Sequence, residues 1–135
     1  MRRLKPQTRK AISQREDDLV KLAENIAKRL WEALNDVQRR DGKVRQLRNI
    51  LEVAESTDSW KALELFIRYQ AARGELPKDW AESAIQAFDA LQTDAQRIAK
   101  DKGDPAKTIH LELVTRVLGH AVRWHVWEVK KQQEG

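Results

Sequence analysis

Arg116, His120, Arg123, Trp127 and Lys130 recur at steps of four, three, four and three residues. At about 100° per residue, that spacing puts all five on one narrow line of a helix. Cations interleaved with an aromatic suit a phosphodiester backbone with unstacked bases: guanidinium and ammonium groups meet phosphate, and the indole offers a stacking face. The same line can also be a solvated face on which Glu112 pairs with Arg116. Leu111, Val114, Val117, Leu118, Ala121, Val122, Trp124, Val126 and Val129 take up much of the remaining circumference. A helix apolar over so wide an arc is expected at the centre of a bundle, with its polar stripe as a contact surface.

Further arginines punctuate two other apolar stretches, VRQLRNILEV at 44–53 and LELFIRYQAARG at 63–74. Local acids sort them. Glu64 precedes Arg68 by four residues, the favourable orientation for a helical ion pair, and Glu112 precedes Arg116 likewise. Glu52 follows Arg48 in the weaker order, and Asp41 lies before Arg45. Arg73 and Arg123 have no acid three or four residues away. They are the first candidates to seek an external anion, although Arg73 can instead cap the carbonyls of its own helix. The candidate nucleic-acid-binding set is therefore Arg45, Arg48, Arg68, Arg73, Arg116, His120, Arg123, Trp127 and Lys130.

Catalytic chemistry has little to stand on. His110, His120 and His125 are spaced by ten and five residues, which lacks the i, i+4 geometry that lets two imidazoles share a metal. Neither a glycine-rich phosphate loop nor a nucleophile elbow is present. Glu16, Asp17 and Asp18 open a helix, where acids meet the dipole favourably. No enzyme activity, metal, cofactor or small-molecule substrate is expected. A helix-turn-helix reader would have to use the helix after Gly74-Glu75-Leu76-Pro77, yet that helix carries Asp79, Glu82, Asp89 and Asp94, which would repel phosphate.

These residues need elements to hold them, and the periodicity predicts an all-α, single-domain bundle of about five helices. The first spans about 13–40, with Leu19, Leu22, Ile26, Leu30, Ala33 and Val37 on one face and Asp41-Gly42 as its break. The second spans about 43–56, with Val44, Leu47, Leu51 and Ala54 inward. Thr57-Asp58-Ser59 offers caps for the third, which turns Trp60, Leu63, Phe66 and Ile67 inward and stops at Gly74. Pro77 fits the first turn of the fourth, striped by Trp80, Ala84, Phe88, Leu91, Ala95 and Ile98. Asp104-Pro105 opens the fifth, ending near Lys131. Short connections favour antiparallel neighbours. The Trp and Leu positions are core by default; Trp127, on an otherwise polar line, is the exception.

The chain has 135 residues, 35% of them charged, and a net charge of +5 that is unevenly spread. Residues 1–15 carry Arg2, Arg3, Lys5, Arg9, Lys10 and Arg15 and no acid, whereas residues 16–135 are close to neutral. The expected division is a basic N-terminal arm at 1–15 and a helical bundle at 16–135. The arm could bind nucleic acid by counterion release or serve as a disordered solubilising tail. Without cysteine there is no disulfide framework, which suits a reducing cytosol. No uncharged run exceeds six residues, far short of the roughly 20 a membrane helix needs. A cytoplasmic, soluble protein is expected.

Gln46-Leu47-Arg48, then Tyr69-Gln70-Ala71-Ala72-Arg73, then Trp124-His125 stand in an order that resembles the small subunit of type III CRISPR RNA-guided effector complexes. The resemblance covers about residues 43–127, with Trp124 where that family carries tyrosine. It implies a non-catalytic, all-helical prokaryotic protein acting in antiviral defence. Several copies would stack along the backbone subunits beside the large subunit, hold target RNA, with guide RNA as a second candidate, and leave cutting to other subunits. A ribonucleoprotein role needs surface arginines that read backbone rather than sequence. The competing reading is a helical adaptor or oligomerisation protein with no nucleic-acid role.

Overall fold

The computed structural model describes residues 2–35, 38–39 and 44–134, with side chains for all of these except 44 and 132–134. Among the described residues the secondary structure is entirely helical, in six helices: α1 (Pro6–Ser13), α2 (Glu16–Ala33), α3 (Val44–Ser56), α4 (Trp60–Ala72), α5 (Lys78–Lys102) and α6 (Ala106–Glu134).

The widely apolar α6 lies at the centre, packed against α2, α5 and α3, while α4 leans on α5 and α3. Leu113, Val114, Val117, Leu118 and Ala121 are fully buried, and each large aliphatic side chain so placed contributes about 1.5–3 kcal/mol. The stripe Trp80, Ala84, Phe88, Leu91, Ala95 and Ile98 is buried along all of α5. Trp80 also donates its indole N–H to the Ile26 carbonyl at 3.0 Å, which fixes α5 against α2. Ser59 caps α4 by accepting from the Ala62 N–H at 3.0 Å. Gly103 ends α5 with φ 87°, a left-handed cap that glycine adopts without a Cβ penalty. No described helix is long and apolar enough to cross a membrane.

The expected first helix is in fact two. The chain bends at Gln14 and Arg15, so the stretch before it forms a separate α1, and α2 ends at Ala33, short of residue 40. The expected break at Asp41-Gly42, together with Val37, lies outside the described residues. Residues 2–15, set apart in the sequence by charge, are built into the bundle as more than a free arm. Ile12 and Thr8 are fully buried, and α1 packs on α5. Asp104 accepts from the Lys5 N–H at 2.9 Å and from the Thr8 hydroxyl at 2.5 Å. These bonds hold its carboxyl below the ordinary range, so Asp104 anchors α1 as well as standing before α6. Arg15 meets Asp94 of α5 at 2.5 Å.

Candidate nucleic-acid interface

A groove of about 350 Å³ runs between α3 and α6. Leu51 and Glu55 wall one side; Thr115, Arg116, Gly119, His120 and Arg123 wall the other, and Glu16 closes it from the start of α2. Gly119 keeps it open. A Cβ there would meet nothing closer than the Arg123 guanidinium at 3.8 Å, so no packing constraint excludes a larger residue. Mid-helix glycine costs about 0.5–1 kcal/mol relative to alanine, and its evident effect here is a clear channel.

The cations of the α6 line divide into two groups. Arg116 is enclosed by acids, with Nε donating to Glu112 at 3.0 Å and Nη1 to Glu16 at 2.7 Å. Burial works against its charge, but the two carboxylates outweigh it and raise the guanidinium pKa. His120 Nε2 lies 2.8 Å from the second Glu16 oxygen. Burial alone would raise the Glu16 carboxyl; the bonds from His120 and Arg116 overcome it and hold the group below its ordinary range. Arg123 is exposed and has no acid partner among the described residues; its Nη1 reaches only His120 Nδ1, at 3.4 Å. Lys130 is exposed and Trp127 is 58% exposed, neither with a polar partner among the described residues.

The remaining candidates are distributed by the bundle. Arg2 bridges Thr115 of α6 and Ala54 of α3, while Leu51 shares the groove with Gly119 and Arg123, so α3 runs antiparallel to α6. Arg48, one turn before Leu51 on the same face, therefore belongs to the Arg123 end of the groove. Arg48 and Arg45 are exposed and unpaired among the described residues, so the expected Arg48–Glu52 pair does not form. Asp41, the expected partner of Arg45, lies outside the described residues. Gln46 donates to Glu75 at 2.9 Å, which brings the end of α4, and with it Arg73, beside the start of α3. Arg73 is exposed, follows α4 as its cap residue and lays its guanidinium over the Tyr69 ring at 5.4 Å. Arg68 is held by Glu64 at 3.4 Å and also by Glu82 of α5.

Of the histidines, His110 and His125 are core residues. Burial pushes the His110 imidazole pKa below its ordinary value, and Nε2 lies 2.7 Å from the Phe88 carbonyl, to which it donates. Among the described residues no three His, Asp or Glu side chains converge as a metal-binding group.

Three participants escape the spacing rules. On the other side of Arg116 lies a second cavity, about 210 Å³, lined by Arg2, Leu4, Arg9, Glu112 and Arg116. Arg2 and Arg9 reach it only because α1 folds back, and Glu16 reaches Arg116 across 100 residues of sequence. The only advance signal was the acid-free charge of residues 1–15. No protein family, characterised protein or solved structure matches this chain.

Proposed function

We propose that this chain is a non-catalytic small subunit of a CRISPR RNA-guided interference complex of type III character. It stacks in several copies and holds the backbone of target RNA, with guide RNA as a second candidate. The observation that carries the reading is the set of exposed arginines with no acid partner among the described residues. Arg123 walls the α3–α6 groove, Arg48 lies one turn before its wall residue Leu51, and Arg73 ends the helix whose following Glu75 is bonded to Gln46 of α3. Exposed Trp127 follows Arg123 by one turn and offers a stacking face. Unpaired guanidiniums beside an open channel suit a phosphate backbone, which each copy grips weakly and stacked copies grip together.

One observation favours the adaptor reading. Leu65 and Tyr69 are 68% and 55% exposed and stand one turn apart on α4, an apolar face away from the groove. A stacking subunit also needs such a face, so the test must read RNA. In the assembled complex, Arg48→Ala, Arg73→Ala and Arg123→Ala together should weaken target RNA at every sequence. Each lost contact should lower the logarithmic salt slope by about 0.7 on a single strand. Normal binding at all salt concentrations by a folded triple variant would leave the adaptor reading in place.

A further inference from the structure

The cavity beyond Arg116 brings three guanidiniums together, and counting their donors shows what remains for a ligand. Arg2 is only 7% exposed in its side chain. Its Nη1 donates to Thr115 Oγ1 at 3.0 Å and lies 3.8 Å from Glu112. Its Nη2 donates to the Ala54 and Thr57 carbonyls at the end of α3. Its Nε is buried with no partner and no accessible surface, so Arg2 offers the cavity its positive charge and not that donor. Arg116 has given Nε to Glu112 and one hydrogen of Nη1 to Glu16, leaving the second hydrogen of Nη1 and both of Nη2. Arg9 is exposed and has no partner among the described residues, so all five of its N–H groups are open. Three positive charges meet two carboxylates, and both carboxylates are already engaged.

A buried donor without an acceptor is costly, and an unneutralised guanidinium at a cavity wall attracts an anion. We propose that this cavity seats one phosphate group, the phosphodiester of a strand lying in the adjoining groove. The phosphate chemistry stands on the donor inventory; its source in a strand rests on the nucleic-acid reading of the groove. A phosphodiester presents two anionic oxygens on a tetrahedral centre, which the free N–H groups of Arg9 and Arg116 can share while the Arg2 charge adds to the field. Leu4 supplies an apolar wall and no competing acceptor.

The test uses the full chain with two probes, inorganic phosphate and a single-stranded RNA oligonucleotide, and two variants. Arg9→Gln removes a charge with no internal partner, so its melting temperature should stay unchanged. Glu112→Gln keeps an acceptor for Arg116 while removing the carboxylate that competes with the ligand. Arg9→Gln should weaken phosphate and RNA several-fold and lower the RNA salt slope by about 0.7. Glu112→Gln should strengthen both, a sign that no purely structural role produces. On phosphate addition the Arg9 Nε–H resonance should shift. If Arg9→Gln leaves both probes unchanged while Arg123→Ala loses RNA, the seat is overturned and the groove stands. If Arg9→Gln weakens phosphate alone, the phosphodiester assignment is overturned, because the seat then serves a free phosphate.

Discussion

Arg116 and Arg123 stand two turns apart on one face of α6, with the same side chain and the same apolar helix beneath them. Arg116 lies between Glu112 and Glu16; Arg123 faces only the second nitrogen of His120. The difference comes from α2, whose first turn ends its reach at His120. An arginine on a helical stripe is thus structural or free according to where the neighbouring helix carries an acid, and the stripe itself does not reveal which.

That contrast can be broken by paired substitutions. Arg116→Ala leaves two part-buried carboxylates without their cation and should cost about 1–2 kcal/mol, between an exposed and a buried ion pair. Arg123→Ala should stay within about 0.5 kcal/mol, as for surface sites without partners. Equal losses in thermal melts would show that the two halves of the stripe do not differ.

Acid sharpens the same comparison at the Arg116 end. Glu16 and Asp104 have pKa values lowered in the folded chain, so their stabilisation is present above the unfolded values of 4.5 and 3.8. It is lost as pH falls through the folded values. His110 is also lowered, from 6.5; its folded state binds the proton less readily, so stability declines as pH drops below 6.5. Melts should therefore show a shallow decline beginning near pH 6.5 and a second in the carboxylate range. Glu16→Gln should diminish the second and spare the first. A profile unchanged by Glu16→Gln would remove that carboxylate from the stability of the groove.

The smallest effect is expected at Arg68, where half-buried Glu64 and exposed Glu82 share one exposed guanidinium. Arg68→Ala should cost a few tenths of a kcal/mol and leave the RNA salt slope as it was. A lowered slope would place Arg68 with Arg123.

Local rules read the helices well because periodicity is itself local. The α5 stripe, the Ser59 cap and the Arg68–Glu64 and Arg116–Glu112 pairs all lie within one or two turns. What escaped them is set by packing. Arg2 meets Thr115, Arg15 meets Asp94, and Glu16 meets Arg116 and His120, each across more than one helix. The bend at Gln14 and Arg15 carries no glycine or proline, so nothing in the composition marks it. The unpaired state of Arg123 was legible, since no acid stands near it in sequence; that of Arg48 was not, because Glu52 is close enough to pair and does not.

The central position of α6 also sets a timetable. The helix that α2, α3 and α5 pack against follows all three in the chain, so during translation they lack their largest common surface, with only side contacts such as Trp80 of α5 on α2 to hold them. At about 5–20 residues per second, the ribosome keeps them waiting for several seconds. Their amphipathic stripes remain sticky throughout that interval, a substrate for chaperones and for one another on neighbouring polysomes. The bundle can close only once α6 clears the exit tunnel, and a premature stop within α6 removes the helix that most of the others pack on.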